Sequence, residues 1–347
     1  LHFALLREHV RATGQPVRVI LDWFQNSLSS DYLGYLQEVG IEVRFYHSPF
    51  GRSLLDLPFR NHTKVLTNGM AVIAGDRNIA EAYFEQGPKR STLSIDVMIK
   101  GESGAAAHQY LAEFWKSDKL VPALSPGAKS KNPEIHQSRL DQALDWYRYI
   151  RSEAPNHFRL PPAISVRAEF VADDVSPIVV RDRSFERMQW ILSGAKRYAA
   201  IVAPYFVPNE EFVFLLKGLG ERVKVITNSF RSTNWALVHA GYLSHKGDLL
   251  RAGVSIFEYP GPELLHAKIV RVDEDISYVG SFQPHARASR FDLESGLLVW
   301  SEEFAQELDH VINDRLGSSP PAPVRFSRPI EACVETLARW FRNMTAN

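Results

Sequence analysis

One order of segments occurs twice in this chain, and that repetition limits its fold more than any other feature. Val17-Arg18-Val19-Ile20-Leu21-Asp22 in the first copy resembles Val223-Lys224-Val225-Ile226-Thr227-Asn228 in the second. Each is an apolar, β-branched run bounded by loop residues, which predicts a strand. A helical stretch follows each and ends at Gly40 or Gly253, as a helix C-cap does. A second strand comes next, over 41–46 and 254–259. Then come His62-Thr63-Lys64 and His266-Ala267-Lys268, each leading into a hydrophobic strand pair that stops at Gly75 or Gly280. Last is a strand led by an acid, Asp96 in one copy and Glu294 in the other. The two histidines are 204 residues apart. That period is too long for a solenoid and suits two fused domains of one fold. Strands alternating with helices predict an α/β sandwich in each half.

Residues 133–153 predict a helix that leads to a linker around Pro155, Pro161 and Pro162. The halves are therefore expected to be 1–155 and 156–347. The second copy has a strand from Ala199 to Ala203 ahead of the helix before Val223, and the first copy has no counterpart. The chain opens on Leu1 with LHFALLREHV, which predicts a helix already under way. A first strand, and any signal or anchor, is expected upstream of residue 1.

Lys plus Arg and Asp plus Glu are 40 each, so the formal net charge is zero. A nucleic-acid partner is not expected, since chains that coat nucleic acid carry a basic excess. The single cysteine, Cys333, excludes an internal disulfide and disfavours a thiolate zinc site. No apolar run is long enough to span a membrane. At 330–341, Ile330, Cys333, Val334, Leu337, Trp340 and Phe341 fall on one helical face. Packing against the domain is the favoured fate of that face, and contact with a membrane surface the lesser one.

A histidine and a lysine two apart on a strand point to one side. Two such strands packed about a pseudo-twofold axis would aim two imidazoles and two ammoniums into one pocket. That set fits phosphoryl transfer. The ammoniums neutralise nonbridging oxygens. One imidazole can attack phosphorus, and the other can protonate the leaving oxygen and then activate an incoming hydroxyl. Neither role needs a metal, and no cofactor is expected.

His266-Ala267-Lys268-Ile269-Val270-Arg271-Val272-Asp273, with Gly280-Ser281 and Glu294 beyond it, resembles the second catalytic motif of the phospholipase D superfamily. Gly75-Asp76-Arg77-Asn78-Ile79 with Tyr83-Phe84 is similar to a stretch of bacterial cardiolipin synthases. So are Pro204-Tyr205-Phe206-Val207-Pro208, and Asn228-Ser229 with Val238-His239-Ala240-Gly241-Tyr242. The resemblance runs from about Arg18 to Ile312. It implies two phospholipase D-like α/β(α) sandwich domains related by pseudo-twofold symmetry, acting on a phospholipid through a phosphohistidine. It also implies a peripheral position on a bacterial inner membrane, at its cytoplasmic or periplasmic face. Within it, His62 and His266 are the nucleophile and the acid/base, with the N-terminal histidine the usual nucleophile. Lys64 and Lys268 bind phosphate. Asn78, Ser281 and Gln283 sit where the family places phosphate-contacting groups. Glu294, and by alignment Asp96, would accept a ring N–H of a histidine and fix its tautomer. His239 is read equally as a pocket residue or a helix-packing residue. Asp96 is read almost as readily as a strand-edge acid, and Asp76-Arg77 as a surface ion pair.

The first copy departs from the motif. Where the second has Asp273, the first reads Asn68-Gly69, and His62 to Gly75 is 13 residues against 14 from His266 to Gly280. A tightened type I′ turn at Asn68-Gly69 would account for the lost residue. The superfamily's tyrosyl-DNA phosphodiesterase branch manages without this aspartate, so activity is expected to survive. A nuclease of the same fold, or a degenerate lipid-binding member, are the alternatives.

Overall fold

The computed structural model describes residues 1–24, 26–47, 59–84, 91–158, 160–175, 183–285, 288 and 291–322. The apolar face at 330–341, with Cys333, lies outside them. In chain order the first elements are α1 (His2–Thr13), β1 (Val17–Asp22), α2 (Ser30–Glu38), β2 (Ile41–Tyr46), β3 (Arg60–Asn61), β4 (Val65–Thr67), β5 (Ala71–Gly75), β6 (Thr92–Leu93) and β7 (Asp96–Lys100). Next are α3 (Glu102–Lys116), β8 (Leu120–Pro122), α4 (Pro133–Glu153), β9 (Arg167–Ala172), α5 (Arg183–Ser193), β10 (Ala199–Val202), α6 (Glu210–Leu219) and β11 (Val223–Asn228). The chain continues through α7 (Ala236–Arg251), β12 (Ser255–Tyr259), β13 (Leu264–Leu265), β14 (Ile269–Val272), β15 (Ile276–Gly280), β16 (Asp292–Leu293), β17 (Ser295–Trp300) and α8 (Glu302–Leu316). The α/β class, the opening helix and the strand order expected from the repeat are all present.

Packing divides the chain into two compact units. One is Leu1–Asn61 with Leu111–Ala163; the other is His62–Tyr110 with Ile164 onward. The division falls inside α3 and differs from a cut near residue 155. The physical reason is burial: Val72 and Ala74 of β5 and Ile99 of β7 lose their water against Leu297 and Val299 of β17. The His62 segment therefore belongs to the same compact unit as His266.

In the first unit, β1 runs parallel to β2 and β2 antiparallel to β8. Its helices close around Ala4, Tyr35, Leu140 and Leu144. Local signals set the ends of these helices. Ser29 caps α2 by accepting the Tyr32 N–H, and Gly14 ends α1 in the left-handed region at φ 69°.

In the second unit, seven strands form one sheet in the order β12-β11-β10-β14-β15-β17-β9. Alternation along the strands sorts side chains to two faces. Ile201, Val270, Val272, Tyr278 and Leu298 face Met188, Phe212, Leu216 and Leu243 of helices α5, α6 and α7. Val202, Ile269 and Val279 face Leu308, Ile312 and Leu316 of α8. The first-copy strands β4, β5 and β7 make a separate three-stranded sheet. In the second copy β10 bridges β11 and β14, which is how one continuous sheet arises there.

The β4–β5 hairpin corrects one expectation. Asn68 and Ala71 form its closing pair, with Gly69 and Met70 in the turn. Gly69 is at φ 86°, whereas Met70 is not among the positive-φ residues. One left-handed glycine at the first central position is the type II′ pattern, not type I′. The Asn68 carboxamide accepts the Met70 and Ala71 N–H groups and holds the turn.

Gly280 closes the hairpin next to the site. A Cβ there would lie 2.5 Å from the Ser295 carbonyl oxygen and 2.6 Å from the Gly296 Cα. Gly218, within α6, has open space around it. Gly280→Ala is expected to destabilise the fold by about 1–3 kcal/mol through overpacking. Gly218→Ala is expected to be neutral or stabilising by up to ~1 kcal/mol. Denaturant midpoints of the two variants check the pair.

Candidate active site

Both His-x-Lys motifs lie in extended chain just ahead of a strand rather than within it: 62–64 before β4, and 266–268 before β14. Each is anchored by the other copy. The His62 N–H donates to the Leu293 carbonyl at 2.9 Å, and the His266 N–H to the Leu93 carbonyl at 2.9 Å. The side chains repeat this exchange. His62 Nδ1 lies 2.9 and 3.0 Å from the two Glu294 carboxylate oxygens, and His266 Nδ1 lies 3.2 Å from Asp76 Oδ1. An imidazole from each copy thus rests on a carboxylate from the other.

Asp76 was missed at sequence level, where it reads as half of a surface pair with Arg77. It is fully buried. Burial pushes its carboxyl up, but the His266 hydrogen bond and the Lys268 charge together hold it below its ordinary range. Arg77 pairs instead with Asp96, Nε to Oδ2 at 2.7 Å. The alignment of Asp96 with Glu294 is two residues off. Gly75 pairs with Asp96 across β5 and β7, as Gly280 pairs with Gly296 across β15 and β17. Glu294 therefore corresponds to Ser94, and Asp76 to Ser281. Each half supplies one acid to the other's histidine, but from different strand ends. Strand register was the signal that could have found this; matching acid to acid concealed it.

The lysines turn inward. Lys64 Nζ donates to the His62 carbonyl at 2.6 Å, and Lys268 Nζ to the His266 carbonyl at 2.8 Å. Desolvation draws Lys64 down to about 7, against the pull of Glu294, and Lys268 down to about 8. The same loss of water pushes buried Glu294 up to about 8, opposed mainly by Lys64. Burial, aided by Lys268, lowers His266 to about 3, so it rests neutral. With Asp76 ionised, the ring N–H sits on Nδ1 and the lone pair on Nε2. Tyr83 Oη is 3.1 Å from that Nε2 and takes a hydrogen bond from the Asn78 amide at 2.8 Å.

The remaining predicted residues divide. Gln283 is 8% exposed, and its Oε1 is a buried atom with no hydrogen-bond partner among the described residues. An amide end of this kind is suited to a ligand oxygen once rotated. Ser281 is stitched to β17, its Oγ accepting the Ser295 N–H at 2.9 Å and lying 3.2 Å from the Ser295 carbonyl, and its hydroxyl is among the groups that oppose the upward push on Glu294. His239 packs its ring against Tyr242 and Phe230, and lines a small pocket with Tyr205, Thr227 and Thr233. Burial lowers it to about 4. Asp273 is a correction. It sits in the β14–β15 turn at φ 47°, and its carboxylate accepts the N–H groups of Lys196, Arg197 and Tyr198. Those bonds make it a clamp on the loop before β10, not a member of the histidine–lysine cluster. A second missed residue is Asp173, also fully buried, which accepts the N–H groups of Glu294 and Ser184 at 2.8 Å each. It holds the backbone that presents Glu294.

Among the described residues there is no cluster of three or more His, Cys, Asp or Glu side chains placed to hold a metal. No described helix is long and apolar enough to cross a membrane.

Residues 189–316 match the family model described as cardiolipin synthase, PLD-like domain. Cardiolipin synthase C of Escherichia coli (strain K12) is 27% identical over 343 residues, covering 85% of this chain and 72% of that protein. Cardiolipin synthase A of Pseudomonas putida (strain GB-1) is 26% identical over 314 residues, covering 87% of this chain and 57% of that protein. The chain thus spans little more than half the length of the latter. Among solved structures, phosphatidylserine synthase of Haemophilus influenzae Rd KW20 shares the fold with a TM-score of 0.68 at 16% identity, over 98% of this chain and 83% of that one.

Two outcomes follow from the geometry. Asp76→Asn is expected to lower kcat by roughly 10²-fold or more, because the amide no longer fixes the Nδ1–H tautomer. Asp96→Asn is expected to cost far less. Restoring an acid at the other strand end, in Asp76→Ser with Ser94→Glu, is expected to recover part of the loss. Phosphodiester turnover checks all three. Separately, a buried ammonium with a lowered pKa is present below that pKa and lost as pH rises through it. Inhibition by inorganic phosphate is therefore expected to weaken at least about tenfold from pH ~7 to pH ~9, each required proton costing tenfold per unit above its pKa. Lys64→Met should bind weakly across that range.

Proposed function

We propose that this chain, a member of the phospholipase D superfamily with a cardiolipin synthase-type domain over residues 189–316, transfers a phosphatidyl group between alcohols through a phosphohistidine. The observation that carries the reading is the crossed support of two imidazoles, His62 on Glu294 and His266 on Asp76, with the Lys64 and Lys268 ammoniums folded back onto the carbonyls of the same two histidines.

His62 is the nucleophile in this reading. Its Nε2 lone pair attacks phosphorus, the P–N bond forms, and the bond to the leaving alcohol breaks. The departing oxygen takes a proton from His266. A protonated His266 is disfavoured in the resting site, and the bound phosphodiester anion supplies the opposing charge that favours it. In the second half, an acceptor hydroxyl gives its proton to His266 Nε2 and its oxygen bonds to phosphorus. The P–N bond then breaks and returns its electron pair to His62. Lys64, Lys268 and the amide of Gln283 hold the nonbridging oxygens. The phospholipid would be met at a membrane surface, which suits exposed Trp235 and Leu237 beside the His239 pocket.

Loss of the motif aspartate in the first copy does not argue for a degenerate protein. Its counterpart in the second copy, Asp273, serves a loop, and the first hairpin is closed by Gly69 and Asn68 instead.

Incubation with phosphatidylglycerol vesicles is expected to yield cardiolipin and glycerol, with phosphatidic acid where water intercepts. Quenching is expected to trap an acid-labile phosphatidyl adduct on histidine. His62→Ala should form no adduct, and His266→Ala should lose at least about 10²-fold in turnover. Full turnover in His266→Ala would sink the mechanism.

A further inference from the structure

His266 meets a hydroxyl as well as a carboxylate. Tyr83 Oη lies 3.1 Å from His266 Nε2, the nitrogen that must handle protons, and the two rings stand edge to face at 87° with centroids 4.9 Å apart. The protons along this row of groups are ordered. With ionised Asp76 holding the ring N–H on Nδ1, Nε2 is an acceptor and takes the phenol's one proton, while Asn78 donates to the phenol oxygen at 2.8 Å. The arrangement is that of an alcohol offered to a general base. Its use as such rests on the phosphatidyl-transfer reading, and it deepens that reading by naming what guards the acceptor position.

We propose that the Tyr83 hydroxyl occupies the place of the acceptor alcohol on His266, yields it to a bound acceptor, and otherwise keeps water out, so that Tyr83 sets the ratio of transfer to hydrolysis. The tyrosine is fixed there by its neighbours. Arg77 donates to the Tyr83 carbonyl and, at 3.1 Å, to the Ser94 carbonyl, and Asp96 anchors the guanidinium at 2.7 Å. The Arg77 guanidinium also lies over the Phe84 ring, 5.2 Å from its centroid. Asp96 and Arg77 thereby brace the turn that carries Tyr83. Burial raises the phenol pKa, so the group stays a donor.

The chemistry explains the selectivity. Once His266 has protonated the leaving oxygen, its Nε2 is again a free base beside a phosphohistidine. A single water gains only one or two hydrogen bonds by displacing the phenol. A lipid alcohol also brings its own binding surface and can displace it. In transfer the acceptor O–H proton passes to Nε2, the new P–O bond forms and the P–N bond breaks. Hydrolysis is the same step with water.

Tyr83→Phe removes the hydroxyl and keeps the ring. With phosphatidylglycerol vesicles, the ratio of phosphatidic acid to cardiolipin is expected to rise about fivefold, the factor for one hydrogen bond of ordinary net strength. Cleavage of bis(p-nitrophenyl) phosphate by water should rise by a similar factor. In ¹⁵N spectra of histidine-labelled protein, the His266 Nε2 resonance should move towards that of a non-bonded imidazole nitrogen while the His62 signals stay in place. An unchanged product ratio with a folded spectrum overturns the proposal, as does an unmoved His266 resonance. A wild-type protein that cleaves the aromatic diester but no lipid overturns the lipid reading alone, and the diester rates then decide Tyr83. A wild-type protein that cleaves neither overturns both.

Discussion

The site depends on one exchange: an imidazole from each half rests its Nδ1 on a carboxylate from the other, His62 on Glu294 and His266 on Asp76. Neither half can set the tautomer of its own histidine. The apolar packing of β5 and β7 against β17, which puts this segment in one compact unit with the second copy, brings the same two halves together. Packing and chemistry ask for the same juxtaposition.

Dryness is the second constraint. Glu294 and Asp76 are fully buried and Lys268 is 1% exposed. Isolated charges in such a place would be prohibitive. Opposite groups offset part of that cost: Lys64 and Lys268 oppose the upward push that burial gives Glu294, and Glu294 and Asp76 oppose the downward pull on both lysines. An anion bound among these groups would favour the charged forms of both lysines and a proton on His266.

The two halves share a plan but have diverged in detail. Glu294 has Ser94 as its counterpart, and Asp76 has Ser281, so the supporting acid has moved between strand ends. His266 also carries a phenol at Nε2. That asymmetry matches a division of labour in which one imidazole attacks and the other moves protons. The outer residues follow the same division. Asp173 holds the Glu294 backbone, while Asp96 and Arg77 hold the turn bearing Tyr83.

The sequence by itself determined the repeat, the α/β class, the limits of several strands and of the helix over 133–153, and the identity of both His-x-Lys pairs. These are local properties: period-2 alternation, a glycine at a strand end, a capping residue. It did not reveal the partners. Asp76 beside Arg77 looks like a surface pair, and Asp96 looks like the match of Glu294, because both readings follow neighbours along the chain. Asp273 sits in the motif yet binds the backbone of 196–198. Only the tertiary structure could assign each acid, since the groups that pair lie 190 residues apart for His266 with Asp76 and 232 apart for His62 with Glu294. Such contacts are fixed by strand register and by how two sheets bury their faces, and no spacing within either motif records them.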